Sequence, residues 1–272
     1  MRLLDLHVHS TCSADGISSI AEHARQAQVL NLAEVGFCEH ADFDPRDRGY
    51  DSLDLARYDR EIAEARKAVP GVKLRKGIEI TYQTGLEDEI RAWLGGRPWD
   101  YVVAAVHLVD YADGWAIISE PRAMGAYFAD HSQRQAYIPY FEELLRAVES
   151  GLADVLGHFD LVKRYGVNQY GPFDPTIFQE EIRVVLRKAV EKGIGLEINT
   201  SGLRQAPGEP YPALTVLRWY RALGGEILTL GSDAHHTKEL GMGIARAQEL
   251  AREAGFQVIA TYKARQPRWI EL

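Results

Sequence analysis

His7 and His9 lie two residues apart in the apolar stretch "LLDLHVHS" at 3–10. Side chains two apart on a strand share a face. Two imidazoles on one core-facing strand are costly unless something pairs with them, and a metal ion is the commonest such partner. A single His-x-His has many innocent explanations, so the rest of the chain decides. Further along, groups of the same ligating type close one apolar run after another: Glu39 with His40, Glu79, His107, His158 with Asp160, Glu197 with Asn199, and Asp233 with His235. Taken singly, each is more readily a satisfied core or surface residue. Seven runs in succession fit that account poorly. Of the nine histidines, His23 on a helix face and His131 at a loop or helix start are expected to be solvated, and His236 to point away from its neighbour His235.

Imidazole and carboxylate donors without a thiolate cluster suit Zn, Mn or Fe in the divalent range. Six histidines and several carboxylates exceed the need of one ion, so two or three are expected. A bridging carboxylate such as Glu79 would let two ions sit close enough to clamp both the attacking and the leaving oxygen of a displacement. Cys12 and Cys38 are too few for a disulfide framework and are read as reduced packing residues.

These groups need strands to deliver them. Strands are expected over 3–9, 33–40, 72–80, 100–109, 153–162, 193–201 and 225–235. Apolar residues spaced at three and four place helices over 18–30, 54–68, 84–94, 134–150, 174–192, 211–223 and 243–254. Asp174-Pro175 is a good helix start and Gly193 a good stop. Strand–helix alternation along the whole chain means parallel strands joined by crossovers. The expected fold class is α/β: a distorted (β/α)7 TIM-like barrel, one domain over 1–272, with the chemistry at the C-terminal strand ends. Two long loops, 40–53 and 108–131, interrupt the alternation at that end, and loops of such length in a compact domain are usually functional.

The 272 residues are 46% hydrophobic and 26% charged, ordinary for a globular protein. A formal net charge of −8 counts against a nucleic-acid partner, which usually meets a basic face. It leaves room for a small anionic substrate held by one or two local Arg or Lys side chains. No apolar run reaches the length of a membrane span and no signal-peptide core precedes the first strand, so a cytoplasmic protein with no membrane partner is expected. The reading leaves a homo-oligomer open.

Seven motifs carry a family resemblance: "DLHVHSTCSADG" (5–16), "CEHAD" (38–42), "GIEI" (77–80), "VHLVDYADGWAI" (106–117), "GHFDLVKRYG" (157–166), "EINTSGLR" (197–204) and "GSDAH" (231–235). In this order they resemble the PHP superfamily (polymerase and histidinol phosphatase), most closely its stand-alone histidinol-phosphate phosphatases. The resemblance implies a trinuclear site: His7, His9, Glu79 and Asp233 for a first ion, Glu79, His107 and His158 for a second, and Asp15, His40 and His235 for a third. Asp15 is a departure, since the family commonly has His there. The resemblance implies metal-dependent hydrolysis of L-histidinol phosphate in histidine biosynthesis; Glu79, Asp233 and Arg204 are the expected catalytic residues.

Arg204 and Arg164, past the sixth and fifth strands, are the candidates for a phosphate clamp, because guanidinium matches phosphate oxygens two at a time. For the substrate amine the 108–131 loop offers Glu120, with Asp110 and Asp113 as competitors. Three other readings compete. A phosphodiesterase or exonuclease on short oligonucleotides would be expected to show an aromatic and basic stripe. A metallo-amidohydrolase would place a lysine on the fourth strand, where the chain reads "VVAAVHLV". A non-catalytic metal-binding module would be expected to have lost ligands.

Overall fold

In the computed structural model, which describes residues 3–111 and 114–272, strands and helices alternate from the first apolar run onward. In chain order they are β1 (Leu4–Val8), α1 (Ile20–Val29), β2 (Glu34–Asp42), α2 (Leu55–Ala68), β3 (Lys73–Thr81), α3 (Glu87–Leu94) and β4 (Tyr101–Ala105). Then follow β5 (Leu108–Tyr111), β6 (Gly114–Ile117), α4 (Pro121–Asp130), α5 (Gln133–Ser150), β7 (Val155–Leu156), α6 (Lys163–Tyr170) and α7 (Gln179–Lys192). The chain ends with β8 (Gly195–Asn199), α8 (Leu214–Ala222), β9 (Leu228–Gly231), α9 (Ile244–Glu253), β10 (Val258–Lys263) and β11 (Gln266–Glu271).

Seven of these strands form one parallel sheet in the order β1-β2-β3-β4-β7-β8-β9. The sheet curls until its ends meet. Val8 bridges Ala234 in parallel, the Asp233 N–H donates to the His7 carbonyl at 2.8 Å, and the His9 N–H donates to the Ala234 carbonyl at 2.9 Å. Both faces of such a sheet are covered, which is why β1, β4 and β8 are buried at every residue and read as nearly continuous apolar runs. The Tyr101 side chain crosses from β4 and donates to the Leu6 carbonyl of β1 at 2.6 Å. Gly36 and Gly77 make room for it: a Cβ on either would stand within 2.1 and 2.5 Å of that side chain.

The helices start and stop on local signals. Ser19 with Glu22, and Ser132 with Gln135, form reciprocal capping boxes at the starts of α1 and α5. Gly151 and Gly193 close α5 and α7 in the left-handed region, at φ 64 and 68°, where any other residue would be strained.

Four features differ from the expectation. The 108–131 segment is not a loop: it folds into the antiparallel β5–β6 hairpin and then α4. The fifth strand is only Val155–Leu156, because the chain turns at His158, whose φ is +21°, and enters α6. The last strand stops at Gly231, and Asp233 has φ +56°, so "SDAH" is a turn rather than a strand end. Beyond α9, β10 and β11 form a hairpin across the N-terminal end of the barrel. There Arg265 donates to Asp154 Oδ2 at 3.0 Å, the Arg265 N–H to the Asp100 carbonyl at 2.7 Å, and Thr261 to Glu34. Among the described residues, no helix is long and apolar enough to cross a membrane.

Candidate metal centre

The C-terminal ends of the barrel strands bring nine donor side chains together. His7 and His9 project from one face of β1 and its extension. Their Nε2 atoms stand 3.0 Å apart, each within 3.3 Å of Glu79 Oε2. Asp233 Oδ1 lies 3.4 Å from His9 Nε2 and 4.0 Å from His7 Nε2. The other oxygen of Glu79 faces a second set: His158 Nε2 at 2.9 Å and His107 Nε2 at 3.7 Å, with 3.4 Å between the two nitrogens. Asp15 Oδ2 forms a third set with His235 Nε2 at 3.1 Å and His40 Nε2 at 3.7 Å, while His40 Nδ1 turns back to Glu79 Oε2 at 3.2 Å.

These spacings test whether cations fit. Donors bound at 2.0–2.1 Å around a tetrahedral ion stand about 3.3–3.4 Å from one another, and the first set clusters around that value. Two Nε2 atoms facing each other at 3.0 Å make one proton-mediated contact at best, whereas one cation takes both lone pairs. The donor set therefore suits divalent metal binding.

Electrostatics points the same way. Burial works against ionisation of Glu79, but His7 and His40 outweigh it and hold the carboxyl well below the usual range. Asp233 behaves alike, with its contacts to His9 and His7 overcoming burial. Burial, then His40 and His235, push His9 down to about 3, so its ring is neutral and its lone pair free to ligate.

Behind several of the donors sits a group that fixes the ring or its loop. Glu197 Oε1 is 2.6 Å from His7 Nδ1, and Glu197 Oε2 accepts from the His158 N–H at 3.1 Å. Thr81 Oγ1 is 3.0 Å from His107 Nδ1 and donates to Asp42. Asp5 accepts from Ser232 N–H at 2.8 Å and from Gly241 N–H at 2.9 Å, holding the Asp233 turn against β1. Glu39 accepts from Ser10 and Ser13 hydroxyls at 2.6 Å each, and Ser13 in turn accepts the His40 N–H at 3.0 Å. Such partners orient ligating imidazoles and raise their basicity.

The donors floor a cavity of roughly 260 Å³ whose wall carries Asp42, Asp47, Arg48, Ile117, Glu120, Leu161 and Arg164. Arg164 and Glu120 thus line the cavity. Glu120 ion-pairs with Arg48 at 3.1 Å. Arg204 does not: it is not among the cavity-lining residues, and its Nη2 donates to the Ser232 and Asp233 carbonyls at 3.0 and 3.3 Å. The reason is local. Past β8 the chain folds into a 3-10 turn, Thr200–Arg204, which brings this side chain onto the carbonyls of the Asp233 turn, its Nη1 buried with no partner among the described residues. Asp110 also faces elsewhere, paired with Arg46 at 2.6 Å and with Gln83 at 2.9 Å. Asp113 lies outside the described residues.

The remaining histidines divide. His23 is buried rather than solvated, edge-on to Phe37 at 6.2 Å, with neither ring nitrogen partnered among the described residues. His131 is half-buried and stacks on Tyr127 at 4.3 Å. His236 accepts from the Lys238 N–H at 3.0 Å, capping a short turn. Cys12 and Cys38 are buried and free.

Sequence reasoning gave no role to Asp5, Asp42, Arg48 or Thr81, and counted Glu197 only among the groups that close an apolar run. Glu197 carried a signal, an acidic residue inside the apolar run 193–201. Arg48 carried none, being one arginine in a polar loop.

A model of the PHP domain matches residues 5–201. A protein described as probable histidinol-phosphatase from Deinococcus radiodurans is 30% identical over 267 residues, covering 94% of this chain and 95% of its own. A histidinol-phosphatase of Lactococcus lactis is 28% identical over 266 residues, covering 96% and 95%. The crystal structure of histidinol phosphate phosphatase from Lactococcus lactis, complexed with Zn, L-histidinol and phosphate, matches the fold with a TM-score of 0.87 at 28% identity, over 98% of this chain and 99% of that one.

Proposed function

We propose, from the premise that the chain belongs to the PHP domain family, that it is a metal-dependent phosphomonoesterase converting L-histidinol phosphate and water to L-histidinol and phosphate. The observation that carries this is the sharing of Glu79 between two donor sets at the floor of a cavity that has Arg164 on its wall. The near-complete match to a phosphatase solved with zinc, L-histidinol and phosphate supports the substrate.

His7, His9, Glu79 and Asp233 would hold one ion, Glu79, His107 and His158 a second, and Asp15, His40 and His235 a third, drawn from Zn, Mn or Fe. Such ions supply Lewis acidity toward the phosphoryl oxygens and make a nucleophile available near neutral pH. The chain's own residues do the rest. Arg164 offers paired N–H donors to the phosphoryl group, whose charge is spread over its three outer oxygens during in-line displacement. Glu120 offers a carboxylate to the substrate's ammonium, and Ile117 and Leu161 supply apolar wall. Arg204 acts one layer back: by gripping the Ser232 and Asp233 carbonyls it fixes the Asp233 carboxylate. The small cavity and the acidic chain favour a small ester over an oligonucleotide.

The test is phosphate release by metal-free protein reloaded with Zn, Mn or Fe. L-histidinol phosphate should be hydrolysed with the highest kcat/KM in a panel of monoesters, and bis-p-nitrophenyl phosphate poorly. Diester hydrolysis that matches or exceeds it would move the assignment to a phosphodiesterase.

A further inference from the structure

Lys163, at the start of α6, is fully buried. Its ammonium has three N–H groups and meets three acceptors: Asp160 Oδ2 at 3.0 Å, Glu209 Oε1 at 2.9 Å and the Pro210 carbonyl at 3.0 Å. Asp160 Oδ2 also accepts the Ala213 N–H at 2.9 Å. Segment 209–213 is thereby bound at several points to turn 158–163. That turn carries His158 at one end, and Arg164 follows directly at the other. Segment 209–213 in turn holds β8, since Tyr211 and Asn199 exchange both backbone hydrogen bonds, at 2.7 and 2.9 Å. The Asn199 side-chain amide donates to Glu197 Oε2 at 3.1 Å and to Asp233 Oδ2 at 3.3 Å. Glu197 closes the circuit by accepting the His158 N–H.

A buried ion pair is weak evidence for stability, because desolvation offsets much of the attraction. What three directed bonds provide is orientation. We infer that Lys163 is a positioning residue: its ammonium locks the turn bearing His158 and Arg164 to the segment behind Asn199 and Asp233, and so fixes the gap across which a phosphoryl group is gripped. This rests on the proposal that Arg164 meets phosphate, and deepens it.

Lys163→Met alone would strand the Asp160 charge, so two other variants carry the test. Glu209→Ala removes one leg at a side chain that is 41% exposed. Lys163→Met/Asp160→Asn removes both buried charges together. Each is compared with wild type for thermal midpoint, metal content, Kd of inorganic phosphate by calorimetry on metal-loaded protein, and KM and kcat on p-nitrophenyl phosphate. Folded, metal-replete variants should bind phosphate more weakly and show a raised KM, on the order of tenfold or more, the scale expected when reacting groups are misplaced by a fraction of an ångström to an ångström. A lowered thermal midpoint with phosphate Kd unchanged overturns the inference. Failure of both variants to fold overturns it as well, since the network would then be a requirement of the barrel. The two claims separate cleanly. Wild-type preference for a different phosphate monoester would sink the histidinol assignment, while the variant-to-wild-type ratio of phosphate Kd would still decide the role of Lys163.

Discussion

Glu79 faces two donor sets with its two oxygens, so Glu79→Gln should lower metal content and turnover together. Metal analysis showing full occupancy with activity intact would refute the bridge. Glu120 makes a different kind of prediction, because it sits on the wall with Arg48 rather than on the floor. Glu120→Gln should weaken hydrolysis of L-histidinol phosphate by about 1.5–3 kcal/mol, the worth of a hydrogen bond to a charged group. It should leave p-nitrophenyl phosphate nearly untouched, and equal small effects on the two would remove Glu120 from the amine site. His23 bears on pH. Burial, partly offset by Glu22, lowers it to about 4 from an ordinary 6.5. The unfolded chain therefore takes up a proton between pH 6.5 and 4 that the folded chain refuses. The stability tied to a neutral His23 is present above pH 6.5 and is lost as pH falls toward 4. His23→Leu removes two unpartnered buried nitrogens and should flatten that part of the stability profile in urea unfolding at a series of pH values. An unchanged slope would mean that His23 is not what titrates.

At the scale of elements, legibility followed length and burial. β1, β2, β3 and β8 are buried nearly throughout, and their apolar runs announce them; α5 carries its caps in sequence, and α7 its closing glycine, while Asp174-Pro175 opens a 3-10 turn that leads into α7. The β5–β6 hairpin was hidden because its strands are four residues each and half exposed. α6 was hidden because "VLGHFDLV" is apolar on both sides of a turn that only the His158 backbone reveals. Asp15 ends no apolar run and came only with the family resemblance, whereas the other candidate metal donors were legible one strand at a time, since a histidine or carboxylate ending such a run stands out. Their supporting groups were not, because Thr81, Asp42 and Asp5 look like ordinary strand polars until their partners are known. The direction of Arg204 was hidden for the same reason, being set by a turn that periodicity does not show. The glycines opposite Tyr101 offer a test of the barrel interior. Gly77→Ala would bring a Cβ to 2.5 Å from the Tyr101 ring and 2.8 Å from the Phe37 carbonyl. Overpacking of this kind costs about 1–3 kcal/mol, measurable in denaturant unfolding. An unaffected midpoint would mean that Tyr101 can move aside.

For the molecule as a whole, the ions would bind only the closed barrel, so chelation should lower the thermal midpoint. Ligand at a hundred times its Kd stabilises by about 2.7 kcal/mol per site, and calorimetry with and without chelator reads the shift; no shift would show that the barrel stands without them. The seam between β1 and β9 gives this a further meaning. His7 and His9 come from the first barrel strand, whereas Asp233 and His235 follow the seventh. A chain emerging from the ribosome carries these two imidazoles first, then waits through six more barrel strands for the carboxylate that completes their set. Every shorter chain has an open seam and an incomplete first site. Phosphatase chemistry is therefore withheld from the nascent protein until the seventh barrel strand and the turn after it have been made.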